Sequence, residues 1–324
     1  MAEPSLPPYS VAESARAGKW RRALAGLCSL ALILQVALGL RIVAADLFDL
    51  YVHRGGSKEV CLLPDSRIYW GLARAIRTGA PYEYVEWSDI PHFALRTPGY
   101  PLFLAVCQMF FGRRTLAVRL VQAALGAVSV FLVYRLTKQV AFADGPGPSR
   151  ETSRARTCTA PIFAAAIAAV HPYYILMSGF LLSEAVFVPL MLVALWGLAL
   201  LWVEPGRPDG VTGVREVMVA LATGGAAGLA ILVRPSWALY VPVILVLWAV
   251  ARLRERGAWV AAIRGALFVA VGLVAVMSPW WVRNMAIYGR FVPTALWMGA
   301  SLYDGLNPNA TGASEMSFLF DREI

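Results

Sequence analysis

Apolar and polar residues in this chain segregate into blocks. Seven runs of mainly apolar residues lie at about 23 to 44, 115 to 134, 159 to 178, 180 to 202, 217 to 233, 236 to 251 and 258 to 280. Each is near the roughly 20 residues that a helix needs to cross a hydrocarbon core, and the shorter ones imply tilt or local thinning of the bilayer. The pattern predicts an all-α polytopic bundle of about seven transmembrane helices. An eighth apolar stretch, Tyr100 to Phe111, is only about a dozen residues long, with Pro98 and Gly99 before it and Gly112, Arg113 and Arg114 after it. That length suits a juxtamembrane helix lying at the outer interface or dipping into it.

Charge orients the runs. Lys19, Arg21 and Arg22 precede the first one and put the N-terminus in the cytoplasm by the positive-inside rule. Alternation then places two basic loops inside. One carries Arg135, Lys138, Arg150, Arg154 and Arg156 against Asp144 and Glu151; the other carries Arg252, Arg254 and Arg256 against Glu255. Counting Tyr100 to Phe111 as a span would turn the first of these loops outward. The expected organisation is a cytoplasmic tail over 1–22, a transmembrane core over 23–283 whose first outer loop runs over 46–114, and an outer tail over 284–324. Small residues at Val43, Ala44 and Ala45 resemble a signal-peptide end, but the apolar core before them is longer than a signal h-region, so an uncleaved signal anchor is expected.

Composition agrees with the membrane reading: 59% of the 324 residues are hydrophobic and 15% charged, and the mean hydropathy is +0.61. The net charge of +9 sits in short loops rather than along one soluble face, so topology explains it and a nucleic-acid partner is not expected. Cys28, Cys61, Cys107 and Cys158 have no metal-ligand spacing; only Cys61 and Cys107 could share an oxidising compartment, and a disulfide between them is not favoured.

On this map the outer side receives Asp65, Arg96, Glu184, Arg234, Arg283 and Asn284, several at the ends of spans, where a charge must face water, protein or a lipid headgroup. Each has a plain structural role open to it. Asp65 opens the stretch "DSRIYWGLARAI", where it is a good N-cap and Ile68, Leu72 and Ile76 fall near one face. Arg234 and Arg283 suit interfacial anchors, Arg283 especially, after Trp280 and Trp281. Glu184 suits the first turn of its helix, beside Ser183. His53 and His171 are set aside as packing or hydrogen-bonding residues. Asp144 to Arg150 is a flexible loop and no phosphate cradle, Asn309 to Thr311 is a chance glycosylation sequon, and Gly224 to Gly228 reads as small-residue helix packing.

The stretches "PDSRIYWGLARAIRTG", "RTPGYPLFLA", "RLVQAALGAVSVFLVYRL", "HPYYILMSGFLLSEAVFVPL", "GLAILVRPS" and "PWWVRNMAIYGRFVP" occur in that order. From about residue 20 to its end the chain resembles the polytopic glycosyltransferases with the GT-C fold, including the bacterial dolichyl-phosphate-mannose-protein mannosyltransferase-like and aminoarabinose-transferase-like proteins. The resemblance implies an enzyme of the bacterial inner membrane with its active site on the outer face. It would move a sugar, with inversion, from a polyprenyl-phosphate carrier to an acceptor that is a protein, a lipid or a glycan. An inverting transfer needs a carboxylate to take the acceptor's proton, and Asp65 stands where such families place it. A departing lipid phosphate calls for guanidinium groups, with Arg234, Arg283 and Arg96 as candidates in that order, and Glu184 resembles the family's supporting acid at that helix start.

Two departures qualify the resemblance. The family often has two adjacent acids, but Ser66 follows Asp65 here; Glu83, Glu86 or Asp89 could supply a second. A single carboxylate makes a weak hard-metal site, so a divalent-metal cofactor is left open without support. Family members also usually continue with an outer segment and further spans, which implies a shortened chain. The rival readings are a transporter or flippase, expected to show paired broken helices and acids deep in the spans, and an inactive truncated homologue.

Overall fold

A computed structural model describes residues 8–54, 63–85, 91–141, 150–203, 213–253, 259–308, 310 and 312. Among the candidates above, Cys61, Glu86, Asp89, Asn309, Thr311 and the loop residues 144–149 and 254–256 lie outside these. The described residues form eleven α-helices and a short 3-10 turn. In chain order the helices are α1 (Pro8–Arg54), α2 (Pro64–Thr78), α3 (Gly99–Phe111), α4 (Thr115–Ala141), α5 (Arg150–Val170), α6 (Pro172–Gly179), α7 (Glu184–Val203), α8 (Val214–Val233), α9 (Tyr240–Leu253), α10 (Trp259–Tyr288) and α11 (Trp297–Leu306). No strand occurs among the described residues; the nearest is one antiparallel bridge, Tyr84 to His92.

Five segments are long and apolar enough to cross a membrane: Leu24–Arg54, Thr115–Ala141, Glu184–Trp202, Val214–Val233 and Ala262–Tyr288. The chain is an integral membrane protein. Two of the seven expected runs are interrupted or shortened at prolines. The third run breaks at His171, where Pro172 removes a backbone donor and drives His171 to φ −63°, ψ 119°, and the two pieces, Thr159–Val170 and Pro172–Gly179, meet at 48°. Counted together they make a sixth long segment. The sixth run likewise starts at Pro235 with a 3-10 turn, which leaves Pro235–Ala251 as a shorter apolar helix. The first helix differs in the other direction. It continues to Arg54, ten residues beyond the predicted edge at 44, because no Pro or Gly interrupts it before Gly55 and Asp49 finds a partner in Arg119.

Glycines bring the helices close. A Cβ on Gly224 would overlap the Val269 carbonyl and one on Gly272 the Leu221 carbonyl, so α8 sits backbone to backbone against α10, while Gly197 of α7 makes room for the Thr223 side chain of α8. Around that seam lie Ala227, Ile231, Met277 and Trp280, with Leu201, Ala220 and Val269 farther along. At one end of the bundle α2 lies on α3 and buries Ile68, Tyr69, Leu72 and Ala73. Gly99 carries α3 onto α8, where an added Cβ would stand 2.6 Å from the Leu232 carbonyl carbon.

Candidate functional site

One cleft of about 400 Å³ opens among the start of α2, residues 95–97, the link between α6 and α7, the end of α8 and residues 294–301. Four of the five charged residues singled out in the sequence line it: Asp65, Arg96, Glu184 and Arg234. They come from sites up to 169 positions apart in the chain, and they form two carboxylate–guanidinium pairs.

In the first pair, Arg96 Nη2 donates to Asp65 Oδ1 at 2.6 Å. Asp65 is not the N-cap of α2. Leu63 takes that place with no side-chain bond, Pro64 follows it, and Asp65 stands one residue farther into the first turn, where the helix dipole favours its charge. Its side chain is 49% exposed, against 16% for Arg96. The Arg96 guanidinium lies 5.7 Å from the Tyr69 ring centroid and 5.2 Å from that of Trp297, so rings hold it by cation–π attraction while it holds the acid. Tyr82 braces the same segment by donating to the carbonyls of Arg96 and Thr97. Burial holds the Tyr69 phenol above its usual range, so it faces the cleft as a neutral hydroxyl.

In the second pair, Arg234 binds Glu184, whose other oxygen accepts a bond from Ser183 at 3.3 Å. Arg234 leaves α8 with an extended backbone ahead of Pro235 and is 39% exposed, the most open guanidinium of the two pairs. Glu184 is placed by the segment before it. Arg119 Nε donates to the Gly179 carbonyl at 2.9 Å, and Gln122 Nε2 donates to the carbonyls of Phe180 at 2.7 Å and Ser178 at 3.3 Å. Asp49 pairs with Arg119 and also accepts from Thr115. Tyr100 donates to Gln122. A Cβ on Gly179 would overlap Phe48, so the bend rests directly on α1.

Arg283 lies off the cleft. Its Nη1 donates to the Phe93 carbonyl at 2.9 Å and to Asn284 Oδ1 at 3.1 Å, its Nη2 to the Tyr82 carbonyl at 3.0 Å, and the rings of Tyr82 and Trp280 flank it. Its donors tie α10 to the loop that carries Arg96, and it does not line the cleft where the other candidates meet. Glu83 does not line the cleft either. Among the described residues no three His, Cys, Asp or Glu side chains gather where they could hold a metal ion.

Sequence reading missed Asp49, Arg119 and Gln122, and it missed Arg41, which is buried in α1. Three of the four fall inside predicted spans, and an ionisable or amide side chain within an apolar run is the signal that marks them. Comparison of the chain with protein-family models, with curated proteins and with solved structures gave no match.

Proposed function

We propose that this protein is a membrane glycosyltransferase that moves a sugar from a polyprenyl-phosphate carrier to an acceptor on the extracytoplasmic face, with inversion. The observation that carries this reading is the meeting of Asp65 and Arg96, from α2 and the loop after it, with Glu184 and Arg234, from the ends of α7 and α8, in one cleft. Each has a job in that chemistry. Arg234, the open guanidinium, takes the phosphate of the carrier and stabilises the charge that grows on it as it leaves. Arg96 occupies Oδ1 of Asp65 and fixes the carboxylate, so Oδ2 is the oxygen presented to the acceptor. The acceptor hydroxyl oxygen then bonds to the anomeric carbon, the bond from that carbon to the phosphate oxygen breaks, its electron pair leaves with the lipid phosphate, and the hydroxyl proton passes to Asp65. The Tyr69 hydroxyl, Thr97 and Ser236 offer hydrogen bonds to sugar hydroxyls, and Trp297 offers a face for a sugar ring.

The topology that suits this role has seven crossings. Arg234 at the end of α8 and Thr294 and Trp297 after α10 line the same cleft, so α8 and α10 both run toward it and the short helix α9 must return the chain between them. Asp49 against Arg119 and Arg41 against Gly126 make α1 and α4 antiparallel. With α5 and α6 taken as one bent crossing, every cleft residue then falls on the side opposite the basic N-terminus, which is the outer face by the positive-inside rule.

A transporter is the second reading, and the break between α5 and α6 beside a buried Arg41 is what favours it. Reconstituted protein supplied with a polyprenyl-phosphate sugar separates the two. Sugar transfer that is lost in Asp65→Asn supports the enzyme; movement of the intact lipid across the vesicle membrane without transfer supports the transporter.

A further inference from the structure

Two cavities meet at one side chain. Glu184 lines the outer cleft and also a second cavity of about 90 Å³ between α4, α6 and α7, with Arg41 of α1 at its wall; no other residue lines both. The inner cavity is mostly apolar, walled by residues such as Val130, Val133, Val188 and Leu192. Glu184 is its one acid and Arg41 its one cation.

Arg41 is 1% exposed. Its Nη1 donates to the carbonyls of Ala37 at 2.9 Å and Ala169 at 3.0 Å, and its Nη2 to that of Ala168 at 3.2 Å, so it caps the broken end of α5. Its Nε is buried and has no hydrogen-bond partner among the described residues. Gly126, also on the cavity wall, makes room for it, since a Cβ there would stand 2.6 Å from that nitrogen. A guanidinium inside a membrane protein pairs with an acid or with backbone carbonyls; among the described residues this one is bonded to carbonyls alone, and an acid can still reach its unused nitrogen.

We propose that Glu184 is a two-position carboxylate that competes with the substrate's phosphate for Arg234 and withdraws toward Arg41 when the phosphate binds. The inference rests on the assignment of Arg234 to the donor phosphate. With the cleft empty, Glu184 neutralises Arg234 and keeps it in place. A phosphate arriving at that guanidinium repels the carboxylate beside it, and the cavity on the other side of Glu184 contains a buried cation with a donor unused. Return of Glu184 to Arg234 after transfer helps expel the lipid phosphate. A carboxylate that only oriented Arg234 would act in the opposite sense, and its removal would weaken phosphate binding.

The test is a titration of the full chain in nanodiscs with inorganic phosphate, followed by 31P line broadening. Glu184→Gln tightens phosphate binding by roughly two- to fivefold, the range set by a partly exposed ion pair. Arg41→Gln weakens it, and the double variant binds as Glu184→Gln does, because without the acid there is nothing to receive. Gly126→Ala, which presses on Arg41 and leaves its charge, gives the same pattern and serves if Arg41→Gln does not fold. Unchanged or weaker binding in Glu184→Gln overturns the proposal, and so do equal effects of the Arg41 or Gly126 change with and without Glu184. If Arg234→Gln binds phosphate as the wild type does, the donor-site assignment has failed, and the two-position carboxylate fails with it.

Discussion

At the scale of single residues, the decisive position is Asp65. Because Leu63 is the N-cap, replacing Asp65 removes no capping bond; a first-turn charge is lost at about 0.3–1 kcal/mol, and the pair with Arg96 loses its charge at about 0.2–1 kcal/mol while the Asn carbonyl oxygen can still accept from Arg96. Loss of a general base costs roughly two to four orders of magnitude in rate. Asp65→Asn is therefore expected to abolish sugar transfer while its unfolding midpoint stays close to the wild type's; a variant with near-normal turnover refutes the base. Tyr69 gives a pH signature. Burial raises its folded pKa above the ordinary phenol value of 10, so its contribution to stability is complete below that value and is lost as pH rises through the folded one. Thermal stability should fall at pH above about 10, and less so in Tyr69→Phe. Charges at the ends of apolar runs were conspicuous in the sequence, which is why Glu184 and Arg234 were legible, while Asp65 and Arg96, inside the long outer loop, stood out only through the stretches that carry the family resemblance. Arg283 misled because an arginine beside tryptophans reads the same whether it meets headgroups or carbonyls, and its carbonyl partners lie 190 and 201 positions away.

At the scale of elements, the seam between α8 and α10 makes opposite predictions for two adjacent glycines. A Cβ at Gly224 overlaps the Val269 carbonyl, and backbone cannot move aside cheaply; at Gly225 the nearest atom is Val276 Cγ2 at 3.8 Å, an ordinary contact. Gly224→Ala should cost about 1–3 kcal/mol through overpacking, whereas Gly225→Ala should gain a few tenths to 1 kcal/mol from helix propensity. Unfolding in mixed micelles measures both, and equal effects would refute the close-packed seam. The sequence showed "GGAAG" as small-residue packing but not which glycine faces which helix, since register is fixed by a partner some 45 positions later. It showed the apolar runs well and their breaks poorly. Pro172 and Pro235 were visible, yet a proline inside an apolar run kinks some helices and ends others, and neighbouring carbonyl partners decide between them.

For the whole molecule, the proposed topology puts the basic ends and the cleft on opposite sides of the bilayer. Cysteines introduced in the 144–150 loop and in the 305–315 tail should be labelled from opposite faces by an impermeant thiol reagent; labelling from one face would refute the seven-crossing order. The general architecture was legible because block hydropathy and loop charge are local quantities. What could not be read is the pairing of Asp49 with Arg119 and of Arg41 with the end of α5, because neither can be inferred without knowing which helices touch.

That last pairing bears on how the protein is made. Arg41 leaves the ribosome well before two of its three partners: Ala37 precedes it by four residues, but the other carbonyls that accept its bonds are 127 and 128 residues farther on. At the usual 5–20 residues per second this is a delay of about 6 to 25 s. Until α5 arrives, the first helix carries a cation bonded to Ala37 alone, which disfavours the hydrocarbon core, so its final depth is set late, by a segment synthesised long after it. Nascent chains arrested before Ala168 is synthesised should hold Arg41 closer to the bilayer surface than chains arrested beyond α6, as read by crosslinking to headgroups from position 41's neighbours; equal depth in the two would show that α1 settles unaided.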